Sequence, residues 1–139
     1  MYKAFLTSVL AFALPTVVVH APRADLTLEV ARTQAQREHG LMDRTAIPPR
    51  TGMIFVFERD ELVGFWMKDT LVPLDMIFVA ADGSVRRVFS NVAVVSRTMP
   101  DDEIPREVAA AKYVIELRAG EAAADGIAEG VKLDLRGVP

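Results

Sequence analysis

The sequence predicts a mainly β domain, a single-domain β-sandwich or barrel-like fold (α+β at most) with one or two short helices, and three observations predict it. Apolar residues recur with a period of two, as where Leu26, Leu28 and Val30 alternate with Thr27 and Glu29, the pattern of a strand with one buried face. Two runs, GMIFVF at 52–57 and LDMIFVA at 74–80, are apolar nearly throughout, as strands covered on both faces are. The runs are also short and divided by turn-forming residues, whereas a parallel α/β fold needs a helix of about 10 to 15 residues between most strands.

The N-terminus opens with one cation, Lys3, followed by an apolar stretch from Ala4 to Val19. Val19 and Ala21 then stand at the spacing a signal peptidase reads. Residues 1–21 are expected to be an export signal cut after Ala21, or after Ala24 because Pro22 is an awkward neighbour for the first cut. Left uncut, the segment would anchor the chain to a membrane. The apolar run falls short of the ~20 residues that span a bilayer, so no stable membrane span is expected in the mature chain, and the location is expected to be periplasmic or secreted. The β-rich domain then occupies residues 25–139.

Within it, DLTLEVA at 25–31 is the expected first strand. Thr33 with Gln36 offers a capping box and Gly40 a stop, which predicts a helix near 33–42. IPPRTG reads as a rigid turn. Strands are expected at 52–57, 63–68 and 74–80, and Asp82-Gly83 between β-patterned runs predicts a hairpin that pairs MIFVA with VRRVFS. Residues 91–111, with Pro100, Pro105 and a mixed charge cluster, read as a long exposed loop. KYVIELR at 112–118 is a strand with Tyr113, Ile115 and Leu117 on one face. A short helix near 120–127 follows, and VKLDL at 131–135 closes the domain as a last strand.

Composition excludes several classes. The 139 residues are 51% apolar, enough for one domain with a core and no staples. The formal net charge of −3, with no basic block, argues against nucleic acid or an anionic membrane surface as partner. The absence of cysteine removes thiol nucleophiles, disulfides and thiolate metal sites. With His20 and His39 alone, a histidine-rich zinc site cannot be assembled. Asp101, Asp102 and Glu103 lack the spaced oxygen ligands of a calcium loop. Met42, Met53, Met67 and Met76 invite a soft-metal reading, but flexible methionines also fill irregular cores, and that reading is preferred. No metal or cofactor is expected.

Several blocks, LEVA, GLMDR, GMIFVF, FWMKDT, PLDMIFV, DG, YVIELRAG, and GI followed by Gly130, occur in an order that resembles the bacterial and archaeal family catalogued as domain of unknown function 192. The resemblance covers the chain from about Leu26 to Val138. It implies a compact, mainly β domain, often exported, with no assigned activity. The family usually shows asparagine where this chain has Asp69, which places an additional carboxylate beside Lys68.

The candidate site is GFWMKDTLVPLD at 64–75. Alternation puts Trp66 and Lys68 on one strand face, with Asp69, Thr70 and Asp75 following across a turn that contains Pro73. Asp75, hemmed in by Leu74, Met76 and Ile77, must be paired or hydrogen-bonded, because an isolated buried charge costs several kcal/mol or more. It is either a structural anchor that accepts backbone hydrogen bonds from the 69–73 turn with Lys68 neutralising it, or, with Lys68, the polar floor of a ligand pocket walled by Trp66. Glu29 and Arg44 are expected to form a supporting ion pair. The leading functional reading is an exported small binding or accessory module for an unknown small molecule or protein. The alternatives are a hydrolase using Asp75 as general acid or base with Lys68 stabilising negative charge, and a protein-interaction domain using a sheet edge or the long loop. Whether Asp75 meets an open cavity or is sealed by backbone donors separates the first two.

Overall fold

The computed structural model describes residues 13–139; residues 1–12 of the expected leader lie outside them. The period-two segments become strands β1 (Thr16–His20), β2 (Asp25–Ala31), β3 (Thr51–Trp66), β4 (Leu74–Val79), β5 (Val85–Val92) and β6 (Arg106–Arg118). Two short helices, α1 (Gln34–His39) and α2 (Glu121–Ala124), complete the order. The strands form one sheet in the order β1-β2-β3-β6-β4-β5. The described residues are 46% strand and 8% helix, as the mainly β class requires.

Among the described residues neither a second sheet nor a closed barrel is formed, which narrows the sandwich or barrel expectation. The two-faced apolar strands are covered instead by irregular chain and short helices. On one face Ile54, Ile77, Ile115 and Leu117 pack with Ala122, Ile127 and Leu133 of the C-terminal segment. On the other, Met53, Phe55, Met76, Phe78 and Val114 pack with Leu41 and Ile47, which follow α1. The β2–β3 pair is parallel while the other pairs are antiparallel. A parallel pair needs a crossover, and α1 with the turn after it supplies that connection.

The helix and hairpin follow their local signals. Thr33 caps α1 by accepting from the Gln36 amide at 3.1 Å, while the Gln36 side chain accepts from the Thr33 amide, also at 3.1 Å. β4 and β5 pair around Asp82-Gly83, where Gly83 takes φ +91° and a side-chain carbon would meet the Leu133 carbonyl oxygen at 2.4 Å.

Other boundaries move. The first strand is β1, not DLTLEVA, because the β-branched tail of the N-terminal apolar run favours extended backbone and pairs with β2. The strands expected at 52–57 and 63–68 are one strand, β3, with a register shift between Val56 and Glu61. The Lys112 ammonium bonds the carbonyls of Phe57 and Glu58 there, which supports backbone that the polar sequence suggested was a break. The long loop shrinks to residues 93–105, since Val108 to Ala111 extend β6 along the outer part of β3. VKLDL makes only isolated bridges, Ser84 with Lys132 and His20 with Asp134. Among the described residues no helix is long and apolar enough to cross a membrane.

Candidate functional site

Strand β6 runs through the middle of the sheet, and its Glu116 stands between Met53 of β3 and Met76 of β4 in the register. Alternation turns Ile115 and Leu117 toward the C-terminal segment and Glu116 toward the face covered by α1. Glu116 is 4% exposed, and burial alone pushes its carboxyl up to about 8. No hydrogen bond reaches that carboxyl among the described residues, in contrast to Asp75, another of the buried acids. Glu116 lines a cleft of about 290 Å³ between α1 and the outer half of β3.

The cleft wall is aromatic. Phe55, Phe57, Phe65 and Trp66 line it together with Gly40, Leu41 and Met42 from the end of α1. Phe55 and Phe65 meet edge to face at 4.8 Å between ring centres, which fixes the wall in one arrangement. Its rim is cationic. The Arg106 guanidinium lies 4.2 Å from the Trp66 ring and the Lys68 ammonium 5.2 Å from it. Lys68 also pairs with Asp101 at 2.7 Å, whereas Arg106 enters no ion pair among the described residues. Arg37 lies 4.9 Å from the Phe57 ring and donates to the carbonyl of Val56 at 3.2 Å.

β3 ends at Trp66, and the chain turns through Lys68, Asp69 and Thr70. The buried Thr70 hydroxyl donates to the Lys68 carbonyl at 3.1 Å, and the Thr70 amide donates to Met67. Asp69 takes φ +50°, a left-handed conformation that Asn and Asp adopt more readily than other side chains do. The Asp69 carbonyl accepts from the Asp43 amide at 2.9 Å. Arg97 meets the Asp69 and Asp43 carboxylates at 3.4 and 2.7 Å. The position therefore demands a backbone conformation that asparagine and aspartate share, and the added charge finds a partner.

Asp75 is not part of this cleft. It points to the opposite sheet face from Met76 and is 1% exposed. Its Oδ1 accepts from the Asn91 amide at 2.9 Å, and its Oδ2 from the amides of Gly120 and Ala122 at 3.0 and 2.9 Å. The donors are thus not those of the 69–73 turn, and Lys68 is not its counter-charge. The shared cavity of Trp66, Lys68 and Asp75 is corrected on this point, and the hydrolase reading loses its acid or base, since an anchor sealed by three backbone donors offers no open carboxylate to a substrate. Trp66, Lys68 and Thr70 do come together at the cleft.

Glu29 and Arg44 form the expected ion pair through two contacts, 2.5 and 3.1 Å, a fork geometry that ties β2 to the segment carrying Leu41 and Met42. Met53, Met67 and Met76 are buried in the core beneath the cleft. No group of three or more His, Asp or Glu suited to a metal occurs among the described residues. The sequence reading missed Glu116, Arg37 and Arg106. Glu116 had a signal: an acid inside KYVIELR on the face opposite Tyr113, Ile115 and Leu117, in a strand whose neighbours are apolar on both faces.

The family model DUF192, described as an uncharacterised ACR, matches residues 17–135. Two solved structures are similar over most of the chain. A protein from Sinorhizobium meliloti described as "a putative transcription regulator" is 34% identical with a TM-score of 0.78, covering 88% of this chain and 95% of that one. A protein of unknown function from Novosphingobium aromaticivorans is 32% identical with a TM-score of 0.73, covering 87% and 86%. No curated protein matches.

Proposed function

The chain belongs to the DUF192 family, and from that premise we propose that it is an exported binding module whose cleft takes a small anion with a flat or apolar body. The observation that carries this reading is Glu116, an acid enclosed at the cleft with no hydrogen-bond partner among the described residues. Its carboxyl opens on the cleft, where a ligand polar group is the partner the cleft admits; the buried oxygen without a partner among the described residues is Asp125 Oδ2, which does not line the cleft. At neutral pH the raised carboxyl is mostly protonated, so it donates a hydrogen bond rather than repelling an anion.

The other groups agree in sign. Arg37, Lys68 and Arg106 outnumber Glu38 around the cleft, Arg106 is open to a ligand, and Trp66 with the phenylalanines gives a planar apolar surface. A volume of about 290 Å³ sits at the lower end of ligand sites, which run from roughly 300 Å³ upward, so the ligand is small. The export part of the reading rests on Lys3 and the apolar run behind it. The regulator name of the Sinorhizobium relative would ask for a basic surface, which a net charge of −3 does not supply.

Thermal shift and fluorescence titration of the purified protein with small aromatic and aliphatic carboxylates, set against matched amines and neutral amides, tests this reading. Carboxylates should raise the melting temperature and perturb the emission of Trp66, the sole tryptophan. Selection of amines or of no compound class, or binding that survives both Arg106→Gln and Glu116→Leu, which removes the donor, would overturn it.

A further inference from the structure

We infer that export ends with cleavage of the Ala13–Leu14 bond, so that the mature chain begins at Leu14 and keeps β1; the inference rests on the export reading above. Water adds across that amide, leaving a carboxylate on Ala13 and a free amine on Leu14.

The segment that a cut after Ala21 would discard is a strand of the sheet. Thr16 to His20 pair residue by residue with Glu29 to Asp25. Val19 is fully buried beside Leu26 and Leu28, and Val17 packs on the same core. The Pro15 carbonyl accepts from the Val30 amide at 2.8 Å, and the His20 carbonyl accepts from the Asp134 amide at 3.3 Å. His20 Nδ1 lies 2.6 Å from an Asp25 oxygen. Removing β1 would strip these bonds, turn β2 into an edge strand and uncover its apolar side chains, a combination proteins avoid. Ala21 and Ala24, the two cut sites first read from the sequence, both lie in the β1–β2 connection, where the Ala21 amide donates to the Ala24 carbonyl at 2.9 Å. The family match, starting at residue 17, also includes Val17 to His20 of this strand.

The sequence supplies another site upstream. Ala4 to Leu10 is at the short end of the roughly 7 to 15 residues of a signal core, in a leader slightly shorter than the usual length of about 15 to 30. Ala11 and Ala13 then give small residues at the two positions a signal peptidase reads. Ala13 is exposed and outside the strands, and β1 starts only at Thr16. The awkward proline also disappears: Pro15 is second after this cut, whereas Pro22 directly follows Ala21. The long apolar run from Ala4 to Val19 is therefore two things joined, a leader core and an edge strand of β-branched residues.

The full chain is expressed in a Gram-negative bacterium, and the periplasmic product is read by intact mass and N-terminal sequencing. The expected product is residues 14–139. In the full chain, Ala13→Arg should accumulate as the uncut, membrane-associated precursor, while Ala21→Arg should still be cut at the same bond as the native chain. A product starting at Pro22 or Asp25, or normal processing of the Ala13→Arg chain, overturns the inference and leaves export standing. Full-length chain in the cytosol, or uncut native chain held at the membrane, overturns it as well, the first taking the export reading with it.

Discussion

Asp75 of β4 holds the amide of Ala122, the second residue of α2, at 2.9 Å, while the same oxygen takes the Gly120 amide at 3.0 Å. Its other oxygen takes the Asn91 amide at the end of β5. One buried carboxylate thus fastens α2 and the β5 terminus to β4, the strand next to the β5 edge. Asp75→Asn keeps the shape but turns an amide NH2 toward at least one backbone donor, whichever way it is flipped. The expected cost is about 1 to 3 kcal/mol of folding stability, read from the midpoint of urea unfolding, with ligand response at Trp66 retained. An unchanged midpoint would show that the three bonds do not anchor α2.

Glu116 makes stability depend on pH in a stated direction. Its folded carboxyl sits at about 8 against an ordinary 4.5. A group raised in the folded state contributes stability that is fully present below the unfolded value and is lost as pH rises through the folded one. The loss therefore runs from about pH 4.5 to about 8. At about 1.4 kcal/mol per pH unit, it amounts to a few kcal/mol. Glu116→Gln imitates the protonated acid and removes the slope, so the variant should gain on the native protein as pH rises from 5 to 9 in urea unfolding. Parallel curves for the two proteins would count against a titrating Glu116.

Those two acids also show what the sequence could and could not convey. Local rules sufficed where the chain's own neighbours decide the outcome: Thr33 and Gln36 start α1, Asp82-Gly83 turns the hairpin, and Trp66 and Lys68 meet at the end of one strand. They failed where distant partners decide. Asp75 was expected to be paired or hydrogen-bonded; it is hydrogen-bonded, and its donors, Asn91, Gly120 and Ala122, come from elements whose place in the sheet no local pattern states. Glu116 became visible as a cleft residue only once β6 proved central. β1 was misread because an apolar β-branched run at a chain start has the composition of a leader and of a strand alike.

The Glu29–Arg44 pair is half buried and bidentate, so it should couple more strongly than an ordinary surface pair. A double-mutant cycle with Glu29→Gln and Arg44→Met is expected to give a coupling of about 1 kcal/mol, at the upper end for accessible pairs. A coupling indistinguishable from zero would make the pair incidental to holding Leu41 and Met42 against the cleft.

The cleft's cations differ in how free they are, and that difference gives the most discriminating prediction for the binding reading. Arg106 stacks on Trp66 and has no acidic partner among the described residues, so Arg106→Gln should weaken a bound carboxylate about tenfold or more, the equivalent of roughly 1.4 kcal/mol. Folding stability should change by no more than about 0.5 kcal/mol, as for other exposed substitutions. Lys68 is held by Asp101 at 2.7 Å, and an incoming anion must compete with that carboxylate. Asp101→Asn releases the ammonium and removes a negative charge from the rim, so carboxylate affinity should rise, and the gain should shrink as salt screens the rim. Trp66 fluorescence titration at low and high salt reads both variants. If Asp101→Asn weakens carboxylate binding, the Lys68–Asp101 pair is a strut that shapes the cleft, and Lys68 is not a charge waiting for a ligand.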